Sequence, residues 1–274
     1  MQQNWEELKQ VHLDLSAAAA AEYDEMYAQS NFATGIYMRY EEDLIEETIT
    51  GISDRKQALV LGSGTGRESF ALAEKFEKVV GLDFCPEMTR QAQANQEKRK
   101  IKNTHFMTLD VESDPLPFPD QSVDFVNSSF GMGSFVLNPA PFFQEIRRVL
   151  KPDGRVIFSF YNSQAFVNQL ELGWAPAIAS RLNHQEETLE VHFQGKSFHI
   201  PVVPYSVPEI KAELLKVFQI RSISTFPSIS SIFPQQFFNN DRVRQLCLEA
   251  DLLLAGNLDL AGGPFIVAVV ENKS

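Results

Sequence analysis

The chain has 274 residues, 44% hydrophobic and 22% charged, a balance that fits one large soluble domain or one domain with a substantial insertion. Its 36 acidic residues outnumber 24 basic ones, giving a net charge of −12. Such a surface repels phosphate backbones, so nucleic acid is not expected as a partner. The two cysteines, Cys85 and Cys247, have no metal-type spacing and read as reduced thiols of a cytoplasmic protein, with no metal site expected. The N-terminal stretch lacks an apolar signal core, and no apolar run reaches about 18 residues, so no integral membrane association is expected.

Residues 1–53 read as an N-terminal helical segment. Ser16 is placed to cap AAAAAEYDEMYAQ, and Thr34 to cap a second helix in which Ile36, Tyr40, Leu44, Ile45, Thr48 and Ile49 recur at helical spacing. Glu41, Glu42, Asp43, Glu46 and Glu47 read as a mostly solvated face near the start of that helix. Tyr23, Tyr37, Arg39 and Tyr40 precede the next stretch by a distance that lets this helix cross its mouth; ordinary packing is the alternative.

That next stretch is QALVLGSGTGRESF, residues 57–70. Its unbroken apolar run suits a strand buried on both faces of a parallel sheet. Gly62, Ser63, Gly64 and Gly66 then form a turn that brings backbone close to a ligand, and the following helix offers free N–H groups to a carboxylate or phosphate. A dinucleotide cradle wants G-x-G-x-x-G, but the third position here is Arg67 and the extra glycine comes one residue early.

Beyond the loop, strands and helices alternate. A helix over 68–76 leads to the strand KVVGLD, a helix from Pro86 to about Lys100, a strand over 104–110, and a Pro-rich loop over 114–120. A strand over 122–129, a helix over 139–150, the turn Lys151-Pro152-Asp153-Gly154 and a strand over 155–162 follow. This alternation predicts an α/β fold with a doubly wound, mostly parallel sheet, its core over 54–162. From 163 to 205 the alternation stops, and TLEVHF and SFHIPVV flank Gln194-Gly195-Lys196 as a hairpin. Residues 206–274 complete the core. A capping box at Ser206 starts a helix to about Phe218, the strand FQIRSIST follows, Gly256 closes a helix over 241–255, and PFIVAVVEN is the last strand.

Asp83 ends its strand 21 residues after Gly62, where a carboxylate accepts from ribose hydroxyls in βαβ nucleotide folds. Phe84 and Met88 follow within one helical turn and can pack on an adenine face. Asp110 ends the third strand, where it can accept from an adenine amino group while the Val111 N–H donates to a ring nitrogen.

With these positions in series, the stretch from about Tyr37 to Asn162 resembles a class I S-adenosylmethionine (SAM) methyltransferase of the group that includes the ubiquinone/menaquinone C-methyltransferases. The stretches that carry the resemblance are VLGSGTGRES, GLDFCPEM, LDVESDPLPFPDQSVDFV and EIRRVLKPDGRVIFS. It departs at Val60, where the family usually carries an acidic residue. The resemblance implies SAM as cofactor and a Rossmann-like seven-stranded sheet in the order 3-2-1-4-5-7-6, with helices on both faces and PFIVAVVEN as the antiparallel seventh strand. It further implies that Arg39, and with it Tyr23, meets the SAM carboxylate, and that backbone carbonyls near Ser128 receive the ammonium.

Transfer from a sulfonium mainly requires the acceptor atom to be held in line with the methyl carbon, and a base is needed only where a proton must leave. No motif therefore marks a universal catalytic residue. Tyr161 and Asn162, at the exit of the fifth strand, and His199 in the insertion are the candidates; His184 and His192 read as solvent-facing or structural. Asn127-Ser128-Ser129-Phe130 lacks the paired prolines of base-amino methyltransferases. The resulting expectation is a methyltransferase acting on a small-molecule acceptor. The alternatives are another SAM-consuming enzyme, such as a carboxy-SAM synthase, and a SAM-binding scaffold without catalysis. The insertion 163–205 reads as a substrate cover, with a homodimerisation arm as the alternative.

Overall fold

The run Ala58-Leu59-Val60-Leu61 has no polar face, so it needs burial on both sides. In the computed structural model, which describes residues 2–170, 172–174, 180–183 and 186–273, all four are buried near the middle of a seven-stranded sheet. In chain order the strands are β1 (Gln57–Leu61), β2 (Lys78–Asp83), β3 (Thr104–Thr108), β4 (Val123–Ser128) and β5 (Leu150–Tyr161). They continue as β6 (Ser180–Asn183), β7 (Thr188–Phe193), β8 (Lys196–Pro201), β9 (Phe218–Phe226) and β10 (Phe265–Asn272). The main sheet runs β3-β2-β1-β4-β5-β10-β9, and β10 is antiparallel to both neighbours. Counting only its seven strands, this is the expected order 3-2-1-4-5-7-6. A second sheet, β6-β7-β8, lies within the insertion.

The helices are α1 (Gln2–Ala19), α2 (Tyr23–Ala28), α3 (Phe32–Thr50), α4 (Arg67–Ala73), α5 (Pro86–Arg99), α6 (Pro139–Val149), α7 (Phe166–Gln169), α8 (Val207–Val217) and α9 (Asp241–Ala255). One face of the sheet packs on Phe142, Phe143 and Ile146 of α6 and on Ile210 and Leu214 of α8. The other packs on Tyr37, Ile45 and Ile49 of α3, Leu72 of α4 and Ala255 of α9. The capping box at Ser206 and Glu209 forms as the sequence suggests and opens α8.

Several local expectations are corrected. Ser16 caps nothing, because the alanine run carries α1 through it to Ala19. The cap of α3 is Asn31, whose side chain accepts from the Thr34 N–H, so Thr34 lies in the first turn. Glu41 is not on a solvated face. It is 2% exposed and accepts from the Tyr37 hydroxyl at 2.5 Å and the Phe130 N–H at 2.9 Å. Pairing of β5 with β4 already begins at Leu150 opposite Val123, and the expected turn is an irregularity in the ladder before Arg155 meets Phe125.

The hairpin β7–β8 closes through Gln194 and Gly195, both at positive φ (47° and 74°), the geometry of a tight two-residue turn. Its apolar side is not a core of its own. Leu189, Phe193 and Ile200 pack on Leu15 and Ala19 of α1, so the first helix and the insertion form one layer. At the opposite edge, α5 blunts β3: Gln96 Nε2 donates to the Thr104 carbonyl at 2.7 Å and Gln93 Nε2 to that of Phe106 at 3.3 Å.

Candidate active site

The floor of the site is set by backbone. Gly62 has φ +66°, and a Cβ there would sit 2.8 Å from Met132 Cγ. Gly66 has φ +99° and caps α4, where a Cβ would lie 2.7 Å from the Phe70 ring. These conformations favour glycine, and they lay the loop flat against the carboxyl ends of β1 and β4.

Asp83, at the end of β2, faces this loop. Its Oδ2 accepts from the Gly64 N–H at 2.8 Å and its Oδ1 from the Cys85 N–H at 2.9 Å. Burial pushes its pKa up to about 6, against the pull of those two donors. Each oxygen keeps a second lone pair, so the carboxylate can still accept from a ribose diol. Phe84 and Met88 lie beside it and pack with Leu13, Ala17 and Ala20, which places the end of α1 over this corner of the site.

A cavity of about 540 Å3 opens above Gly62, Gly64, Asp83, Phe84 and Met88. Its far wall is Leu182, Leu189, Val191 and Ile200 of the insertion, and its near wall includes His12, Leu15 and Ser16 of α1. A smaller recess of about 280 Å3 shares Tyr23, Tyr27, Gly62, Gly64, Ser129 and Phe130 with it and adds Ser63, Arg67 and Asn127. Asn127 is fully buried, its Oδ1 accepts from Ser129 Oγ at 2.9 Å, and its Nδ2 finds no partner among the described residues.

The residues expected from sequence fall into three groups. Gly62, Gly64, Asp83, Phe84, Met88, Tyr23, Tyr161 and Asn162 line the cavity, and Ser63 lines the recess. Four more lie near but are otherwise engaged. Gly66 supports the loop from behind. Val111 packs against the main core, and Ser128 turns its hydroxyl to Met132 Sδ at 3.3 Å, while its neighbour Ser129 reaches the cavity. Asp110 accepts from Lys9 Nζ at 2.6 Å, and the same ammonium meets Glu112 at 2.7 Å. Burial works against the charge on Lys9, but the two carboxylates raise its pKa overall.

Arg39, His199 and Asn162 depart from expectation. Arg39 is exposed on α3 and lines neither cavity nor recess, because the buried face of that helix is taken by Tyr37 and Glu41. His199 is exposed on the outer side of β8, opposite Glu190, since the alternation of the strand turns Ile200 inward instead. Asn162 lines the cavity, but its polar atoms are spent: Nδ2 donates to the Ala261 and Gly263 carbonyls at 2.7 Å each, and Oδ1 accepts from the Gln164 N–H at 2.9 Å. It is a clamp for the end of β10. Tyr161 keeps its ring in the cavity against Phe135 and Phe265. His192 is an exposed residue at the cavity rim, and His184 lies outside the described residues.

Two residues were not anticipated. Arg67, read in the sequence only as a mismatch to the dinucleotide pattern, lines the recess beside Phe130 and pairs with Glu68. His12 faces the cavity between the Phe84 and Phe135 rings, at centroid distances of 5.0 and 4.7 Å. Burial, helped by the Lys9 charge, lowers its pKa to about 4, so the ring is neutral at physiological pH. The only sequence signal for His12 was a lone histidine on an amphipathic helix.

Residues 59–158 match a family model described as a methyltransferase domain. They are a class I SAM-dependent methyltransferase domain. The chain is 33% identical over 116 residues to a malonyl-[acyl-carrier protein] O-methyltransferase of Marinomonas sp., and 31% identical over 118 residues to a demethylmenaquinone methyltransferase of Tropheryma whipplei. Those alignments cover 42% and 43% of this chain, and the chain spans less than half the length of either relative, 42% and 47%. In structure, the methyltransferase fold continues over nearly the whole chain. A protein solved as the DhpI-SAM-HEP complex superposes with a TM-score of 0.59 at 19% identity, covering 96% of this chain and 97% of that one. The likeness in fold thus extends well beyond residues 59–158, which the family model matches.

Proposed function

We propose that the protein is a methyltransferase that moves a methyl group from SAM to a small-molecule acceptor, and that α1 with residues 163–205 is its substrate cover. The observation that carries this reading is the continuity of the cavity, which runs from Asp83, Phe84 and Met88 to the insertion wall with the glycine loop as its floor. The residues fit the cofactor. Asp83 would hold the ribose diol, Phe84 and Met88 the adenine face, and Asp110 its amino group. Arg67 and the unpartnered Asn127 Nδ2 in the recess suit a carboxylate.

SAM, when bound, supplies an electrophilic methyl carbon on a sulfonium. The chain's own residues then orient the acceptor against it and exclude water. Tyr161, Phe135 and Phe265 form an aromatic shelf, and the neutral His12 ring can accept a hydrogen bond from an acceptor hydroxyl. The two cysteines are free and buried, in keeping with a reducing, cytoplasmic setting.

The test is ligand-dependent stability followed by label transfer. SAM or S-adenosylhomocysteine at 100 times its dissociation constant should add about 2.7 kcal/mol of stability, with no effect of NAD or NADP. Methyl-labelled SAM incubated with a metabolite extract should then leave label in an acceptor. Stabilisation by NAD and not by SAM would refute the assignment.

A further inference from the structure

The acceptor end of the cavity has a charge pattern that restricts what it can hold. Of the described residues lining it, Asp83 is the only acidic one, and no lysine or arginine is among them. The insertion that forms its wall contains two basic residues in all, Arg181 and Lys196, and both are exposed and outside the lining. Its undescribed residues, 171, 175–179, 184 and 185, include neither lysine nor arginine. The nearest cations on other elements are engaged. Lys9 sits between Asp110 and Glu112, and Arg67 lines the adjoining recess, at the end read above as the cofactor's, paired with Glu68. Above the aromatic shelf the walls are aliphatic: Leu15, Leu182, Leu189, Val191 and Ile200.

From this pattern, and resting on the methyltransferase reading above, we infer that the acceptor is an uncharged, largely apolar molecule presenting a hydroxyl or an equivalent neutral nucleophile. Acceptors that carry a carboxylate or phosphate away from the reacting atom are excluded. A buried anion needs a paired cation or several donors to offset its lost hydration. Among its described residues the insertion wall offers no Lys or Arg, and only Asn168 and His192 as polar side chains besides the aliphatic ones. Asp83 and the net charge of −12 add repulsion. A cationic acceptor fares no better, because the sulfonium already places a positive charge at the reacting end. The polar contacts that remain on the acceptor side, such as His12 and Asn168, are neutral ones and suit a hydroxyl or carbonyl. Balance of charge follows simply. The C–S bond breaks as the acceptor–carbon bond forms, the sulfonium becomes a neutral thioether, and the hydroxyl proton leaves to solvent through the rim near His192.

A matched pair of probes tests this. In the presence of S-adenosylhomocysteine, calorimetry compares 2-naphthol with 6-hydroxy-2-naphthoate, whose carboxylate lies at the far end from the hydroxyl. The expected result is 2-naphthol binding tighter by about tenfold or more, and partial recovery of hydroxynaphthoate binding in Val191→Lys. Equal or tighter binding of hydroxynaphthoate, no binding of either probe, or no gain in a folded Val191→Lys protein overturns the inference while leaving the methyltransferase reading intact. Failure of S-adenosylhomocysteine itself to bind overturns that reading, and this inference with it.

Discussion

The floor and the roof of the cavity are held by different physics. The floor is backbone: glycines at φ +66° and +99°, and a carboxylate bound to the N–H groups of Gly64 and Cys85. The roof is side-chain packing, with Leu15 and Ala19 of α1 fitted against Leu189, Phe193 and Ile200. A backbone constraint admits one or two residue types per position, so it persists as a motif. An apolar contact admits several residues of similar volume, so it persists only as composition. The floor therefore falls within a family model, while the roof carries no comparable motif.

The comparison is broken most severely by removing the roof. Replacing residues 163–205 with a short Gly/Ser linker should abolish transfer of labelled methyl to the extract acceptor while S-adenosylhomocysteine still binds in calorimetry. Most of the stretch packs on α1, and of its described residues only Val203 and Tyr205 join the main core, so a linker that keeps those two should spare the main sheet. Normal turnover by the shortened protein would mean that the acceptor is held elsewhere. A change from dimer to monomer with activity intact would make the segment a dimerisation arm.

The floor is broken by Asp83→Ala. Two charge-assisted hydrogen bonds to the ribose, each worth about 1.5–3 kcal/mol, correspond to roughly a hundredfold or more in affinity for SAM. Circular dichroism should show an unchanged fold. An unchanged dissociation constant would reduce Asp83 to a brace for Gly64 and Cys85.

Beneath both lies Glu41, whose buried carboxyl ties α3 to Phe130 on the cavity wall. Burial lifts its pKa from 4.5 to about 7. A carboxyl with a raised folded pKa stabilises the fold fully below its unfolded value, and that contribution disappears as pH rises through the folded value. Wild type should therefore lose, through this group, on the order of 2–3 kcal/mol between pH 4.5 and 8. Glu41→Gln keeps the shape and removes the titration. In urea unfolding, the variant should show a smaller fall in stability from pH 5 to pH 8 than wild type. Parallel curves would place the ionised carboxylate at no disadvantage in the fold.

The same contrast explains what was legible in the sequence. The alternation of strands and helices, the glycine loop and Asp83 could be read because each depends on periodicity or on a residue type that geometry demands, while the sheet order came from the family resemblance. Arg39 and His199 were misplaced because sequence distance says nothing about which way a helix or strand turns its side chains. Glu41 was misread for a related reason: four acidic neighbours suggested solvent, but the helix rotates this one residue onto Phe130 and Tyr37. His12 gave no usable signal, since its role depends on α1 packing against the β7–β8 hairpin, a contact between segments more than 170 residues apart.

The point where roof touches floor is Lys9, and the smallest expected effect lies there. Its ammonium holds Asp110 and Glu112, with Lys9 and Glu112 side chains 16% exposed and Asp110 30% exposed. If Asp110 receives the adenine amino group, the Lys9 charge and the other donors already on that carboxylate lower what a further donor gains, so the ion pair opposes binding even as it fastens α1. Partly exposed pairs are worth about 0–1 kcal/mol, which limits the effect to a few-fold. Lys9→Met keeps the apolar stem and removes the competing charge. The variant should bind S-adenosylhomocysteine about threefold tighter at low salt. Screening in high salt weakens the wild-type pair, so the gap between the two proteins should narrow there. Adenosine analogues lacking the amino group should show no gain from the substitution, because they do not contest Asp110. Equal gains for inosine and adenosine forms would mean that Lys9 acts only by fastening α1, with Asp110 belonging to the strap and not to the cofactor site.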